Sequence, residues 1–94
     1  MIRVLIDRHI ADTLESVYEL NSRTLLQHAV ATRGFISGET LVDSQDPNHR
    51  LTLCNWRSTA DWDKWYHSEE RKELMNELVP IMDQDEKIII LEQH

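Results

Sequence analysis

Cysteine is nearly absent: Cys54 stands alone, so no intrachain disulfide can form and nothing points to an oxidising compartment. Glycine is as scarce. Gly34 and Gly38 are the only two, which leaves no glycine-rich loop to cradle a phosphate and no visible site for a nucleotide cofactor. Positive charge is in deficit, with 10 Lys and Arg against 17 Asp and Glu for a formal charge of −7. The acids gather late, at Glu69, Glu70, Glu73, Glu77, Asp83, Asp85 and Glu86, and nucleic acid is not an expected partner. No two of the five histidines share a helical face at ligand spacing, so no metal site is expected. Long apolar runs are missing too. The opening stretch Ile2 to Ile6 is broken by Arg3 and ended by Asp7, too short for a signal sequence or a membrane span, and the chain is expected in the cytoplasm.

What remains is the composition of a folded domain, 40% hydrophobic and 29% charged. Residues 1–94 make one domain that buries only about 60 to 70% of its surface alone, so a partner subunit would help it. The most informative stretch is Asn55 to Tyr66, NWRSTADWDKWY, which holds all three tryptophans. Leu51, Leu53 and Asn55 alternate with Thr52, Cys54 and Trp56, the period of a strand, and Ser58 to Asp61 then reads as a helix start. Ser58 can accept from the backbone N–H at position 61, with the Asp61 carboxylate near the positive end of the helix dipole. Trp62, Trp65 and Tyr66 share one helical face and must cover either the core or a ligand.

Along the chain, Ile2 to His9 reads as a strand whose consecutive Val4, Leu5 and Ile6 call for cover on both faces. Asp12, with Glu15 three residues later, is the expected N-cap of a helix running to about Thr32, and Gly34 follows its end. Phe35 to Val42 is a second strand, Asp43 to His49 a loop broken by Pro47, and Arg50 to Trp56 the antiparallel return. Ser68 is the expected cap of a last helix carrying Leu74, Met75, Leu78, Val79 and Met82, kinked or ended at Pro80. The strand Lys87 to Glu92 closes the order β-α-β-β-α-β, the ferredoxin-like split fold of class α+β. Four antiparallel strands with helices on one face leave the other face apolar. Its expected cover is a second copy of the same sheet, packed with two-fold symmetry.

Several of these stretches resemble the antibiotic biosynthesis monooxygenase domains of the dimeric α/β-barrel superfamily. The resemblance spans nearly the whole chain and rests on IRVLID, the pair Gly34 and Phe35, Trp56 ahead of Arg57 and Ser58, and the segment ADWDKWYHSEERKEL. It implies a homodimer whose sheets form a barrel, with a pocket in each subunit between sheet and helices. It also implies a choice of chemistries, since the family holds cofactor-free quinol or anthrone oxygenases, haem-degrading oxygenases and proteins of no known activity. The haem-degrading branch uses an asparagine, a tryptophan and a histidine whose positions fall here on Asp7, Trp65 and Met75. Without an imidazole at Met75, and with a carboxylate at Asp7 facing an anionic porphyrin, haem degradation is disfavoured. No cofactor is expected.

The candidate site residues follow. Asp7 either turns to solvent at the strand end or projects into the pocket, where desolvation would raise its pKa and fit it to act as a general base. His28, one turn after Leu25, either packs partly buried or reaches the pocket as the alternative base. Trp62 and Trp65 are either core or a flat wall for a planar ligand. Asn55 offers an amide to a ligand or pairs within the hairpin, and Met75 stands with these as a substrate contact. His9, His49 and His94 read as solvated, and the glutamate run with Arg71 and Lys72 as a solvated face. Two functions compete on this reading: a small cofactor-independent monooxygenase of a hydrophobic aromatic or quinol-type molecule, and a non-catalytic dimeric binding or structural module.

Overall fold

The computed structural model describes residues 1–93, and His94 lies outside them. Strands β1 (Ile2–His9), β2 (Phe35–Asp43), β3 (Asp46–Trp56) and β4 (Lys87–Glu92) form one antiparallel sheet in the order β2-β3-β1-β4. Helices α1 (Glu15–Val30), α2 (Thr59–Tyr66) and α3 (Glu69–Leu78), followed by a 3-10 turn at Val79–Ile81, cover one face. This is the α+β split fold that the strand and helix order predicts. No helix among the described residues is long and apolar enough to cross a membrane.

The period of two in β1 sorts its side chains cleanly. Ile2, Val4, Ile6 and Arg8 are buried beneath the helices, while Leu5, Asp7 and His9 point to the open face and are half-buried. The registers Ile2↔Trp56 and Ile2↔Glu92 carry that parity across the sheet. Trp56, Cys54 and Thr52 therefore join the core. Leu5, Leu51, Leu53, Ile89 and Leu91 form an apolar stripe on the open face, where Ile89 and Leu91 remain 50% and 44% exposed.

Both serine caps form as the sequence predicts: Ser58 Oγ accepts from the Asp61 N–H and Ser68 Oγ from the Arg71 N–H, each at 3.1 Å. Such a cap is worth about 1 kcal/mol. The last helix ends at Leu78, two residues ahead of Pro80, which cannot donate to the ladder. Gly34 has φ +94°, and a Cβ there would sit 2.4 Å from the Asp61 Cβ. Backbone conformation and close approach both require glycine at this junction of α1 and α2.

Two expectations are corrected. Asp12 does not cap α1. Thr13 takes φ +72°, which delays the helix to Glu15 and leaves Leu14 at the N-cap, while the Asp12 carboxylate accepts from the Asn48 amide at 3.3 Å. Nor is Pro47 a loop residue. Strand β3 begins at Asp46, and the pairing jumps from Val42↔Arg50 to Asp43↔Asp46, so Pro47, Asn48 and His49 bulge away from β2. Proline is tolerated there because β2 takes no ladder bond from it.

Candidate functional site

A cavity of about 30 Å³ lies between sheet and helices. Ile6 and Arg8 of β1, Thr52, Cys54 and Trp56 of β3, and Phe35 form its floor, with Ser22, Leu25, Leu26 and Ala29 of α1 above and Trp62 and Trp65 of α2 at one side. The aromatic wall is built edge to face. Phe35 meets Trp56 at 5.4 Å and 88°, and Trp56 meets Trp62 at 5.7 Å and 71°, the geometry that opposes ring edge to ring face. Trp62 in turn tilts against Tyr66 at 5.7 Å.

One end of the cavity is charged. Arg8 is 3% and Arg71 5% exposed, and both hold Glu86. Arg8 donates from Nε to Glu86 Oε2 at 2.7 Å and from Nη1 to the Tyr18 hydroxyl at 3.2 Å, while Arg71 Nη2 donates to both Glu86 oxygens at 3.0 and 3.2 Å. Arg71 also lies over the rings of Tyr66 and Trp62, 4.8 and 5.9 Å from their centroids. Burial acts to raise the Glu86 pKa, but the two guanidiniums outweigh it and hold the carboxyl below its ordinary value. Two cations and one anion thus leave the cavity end with one net positive charge in an acidic chain. Burial also raises the pKa of Cys54, whose sulfur accepts from the Trp56 indole N–H at 3.3 Å.

Trp62 and Trp65 border this cavity, and the other four site candidates do not. Asp7 falls on the opposite face of the sheet, because Ile6 and Arg8 on either side of it point inward, and it accepts from His49 Nε2 at 2.8 Å. Asn55 shares that open face and donates to Ser37 Oγ at 2.9 Å, with its Oδ1 buried and unpaired among the described residues. His28 lies on the exposed side of α1 beside Glu70, at 3.3 Å, since Leu25 and Ala29 take the inward positions. Met75 is partly buried against the core and borders a surface groove with Tyr66, Val79 and Met82 rather than the cavity. Asp7 and His28 are therefore not positioned as bases, nor Asn55 and Met75 as contacts, for a molecule in the cavity.

The histidines at the sheet end are not simply solvated. His49 lies between Asp43 and Asp7, both at 2.8 Å, and His9 between Asp83 at 2.7 Å and Asp46 at 2.9 Å. An imidazole donates to two carboxylates only when protonated, and these hydrogen bonds raise both histidine pKa values. No group of three or more His, Cys, Asp and Glu among the described residues is arranged to hold a metal ion.

The two arginines of the charged end can be placed from the period of each element. Arg8 continues the inward series Ile2, Val4, Ile6, and Arg71 stands three, four and seven residues before Leu74, Met75 and Leu78. Either periodicity places a guanidinium among core residues, so the arginine in the glutamate run is not part of a solvated face.

The fold is that of solved structures named antibiotic biosynthesis monooxygenase. One such crystal structure superimposes with a TM-score of 0.90 at 18% identity, over 100% of this chain and 99% of its own. A conserved protein from Methanosarcina mazei Go1 gives 0.91 at 18% identity, over 99% and 92%. SnoaB, a cofactor-independent oxygenase from Streptomyces nogalater solved as a mutant, gives 0.85 at 9% identity, over 98% and 92%. At these identities the likeness is one of fold. No family model matches the sequence, and no curated protein matches it.

Proposed function

We propose that the chain is a small cofactor-independent monooxygenase that acts on an aromatic or quinol-type molecule between its sheet and its helices. The observation that carries this reading is the wall of Phe35, Trp56, Trp62 and Trp65 around a cavity with a cationic end. The likeness of fold to SnoaB supports the same chemistry. In that chemistry a deprotonated, electron-rich substrate reduces dioxygen itself. One oxygen atom enters the substrate and the other leaves as water, so the protein need only exclude solvent, orient the ring and stabilise an anion.

Ligand pockets run to about 300 Å³ or more, and a 30 Å³ cavity holds no aromatic ring. The space lies next door. A groove of about 280 Å³ between α1 and strands β2 and β3 shares Ser22, Leu26 and Thr52 with the cavity, so the two spaces adjoin along these side chains. The small volume of the cavity is also the observation that favours a second reading, a non-catalytic module whose core fills its own pocket. An oxygen electrode with an anthrone and a naphthohydroquinone separates them. Uptake with one labelled atom from ¹⁸O₂ in the product, reduced in Trp65→Ala, is expected, and a protein that binds these compounds without consuming oxygen would refute the catalytic reading.

The same proposal includes a homodimer through the open face. Its support is the stripe Leu5, Leu51, Leu53, Ile89 and Leu91, which no helix covers, since apolar area of this kind is removed from water at about 25 cal/mol per Å². A compartment remains part of the proposal as well, the cytoplasm, on the strength of the lone buried thiol.

A further inference from the structure

The cavity lining contains no aspartate, glutamate or histidine, yet the chemistry proposed above begins with loss of a proton. Arg8 and Arg71 both border the cavity, and Glu86 neutralises only one of them. Arg8 spends Nε on Glu86 and Nη1 on Tyr18, while its Nη2 makes no hydrogen bond among the described residues. Arg71 likewise spends only Nη2. Guanidinium N–H groups not taken up by Glu86 or Tyr18 are free to donate, and such a charged donor gains most from an anionic oxygen.

Resting on that reading, we infer that Arg8 and Arg71 are the substrate anchor, and that the site selects aromatic molecules bearing an acidic hydroxyl and binds them as the phenolate or enolate. The O–H bond breaks with its proton passing to water in the groove beside Ser22 and Thr52, and the oxygen keeps the electron pair against the guanidinium N–H groups. No general base is then required, because the uncompensated positive charge makes the bound hydroxyl a stronger acid. The charged and titratable groups around this point are Arg8 of β1, Arg71 of α3, Glu86, Tyr18 of α1, Cys54 of β3 and Tyr66 of α2, whose ring lies under Arg71. Among them only Glu86 opposes an anion, and it is held by both arginines at once.

The probe that reads this directly is 4-nitrophenol, whose phenolate absorbs where the neutral form does not, with 4-nitroanisole as the neutral isostere. The wild-type chain should bind 4-nitrophenol at least about tenfold more tightly than 4-nitroanisole at neutral pH. The bound hydroxyl should titrate at least about one pH unit below the free one. Arg71→Gln leaves Arg8 paired one to one with Glu86, so the fold is kept, and it should abolish both the preference for 4-nitrophenol over 4-nitroanisole and the shift. Arg71→Lys should restore part of each. Equal binding of the two probes with an unshifted titration would overturn the anchor and leave the aromatic pocket standing, whereas binding of neither would overturn the pocket and the anchor together. The wild-type comparison decides the matter even if a variant does not fold.

Discussion

Glu86→Gln would leave Arg8 and Arg71 facing each other across a neutral amide in a site where the side chains of Arg8, Arg71 and Glu86 are 3%, 6% and 11% exposed. Removing one partner from a buried charge network costs about 3 to 5 kcal/mol, because the remaining charge is left without compensation. Against a total of about 5 to 15 kcal/mol for a domain this is a large share, equivalent to a fall in midpoint of at least about 12 °C. Arg71→Gln should cost less, about 1.5 to 3 kcal/mol, since it gives up one guanidinium's bonds to Glu86 and keeps a neutral Arg8–Glu86 pair. Urea unfolding at pH 7, followed by circular dichroism and tryptophan fluorescence, measures both. The pH dependence supplies a second readout. Because the folded Glu86 pKa is lowered, its contribution is full above the ordinary carboxylate range and lost as pH falls through the lowered value, so Glu86→Gln should flatten the acid limb. A Glu86→Gln variant within about 1 kcal/mol of wild type, or milder than Arg71→Gln, would refute the picture of a charge network held together by its one anion.

The raised pKa values of His9 and His49 mean that their contribution is present below the ordinary histidine value and lost as pH rises through the folded values, so His49→Gln should shallow the alkaline limb of a stability profile from about pH 5 to 9. Ile89→Glu places a charge in the open-face stripe; sedimentation should show wild type as a dimer at micromolar concentration and the variant as a monomer, and a monomeric wild type would remove the dimer proposal. Gly34→Ala should cost about 1 to 3 kcal/mol from the positive φ alone, and more from contact with Asp61, in the same urea assay.

The arrangement of strands and helices was legible because the relevant signals are local. Ser58 and Ser68 cap where a serine three residues before a free N–H can cap, and Gly34 takes the positive φ that ends of helices demand. The missed start of α1 shows the limit of such signals, since Asp12 and Glu15 have the right spacing and Thr13 spoils it by a backbone turn that no spacing encodes. The site was less legible. Trp62 and Trp65 announce themselves by size, but Asp7 draws notice by its rarity in an apolar strand, whereas its parity sends it away from the helices. Glu86, in the segment between the last helix and strand, has no periodic pattern at all. Only the three-dimensional meeting of Arg8 and Arg71 gives it a partner.

Cys54 acquires a different importance if oxygen is reduced in this cavity. Superoxide or peroxide formed there would arise beside a sulfur, and sulfur oxidation proceeds through the thiolate to sulfenic and then irreversible acids. Burial keeps the Cys54 thiol protonated, its S–H turned to the Val4 carbonyl at 3.6 Å and its lone pair engaged by the Trp56 indole at 3.3 Å. Held in that form the sulfur is a poor nucleophile toward peroxide. The chain would thereby be spared one route of self-inactivation, oxidation of the sulfur that lines its own cavity.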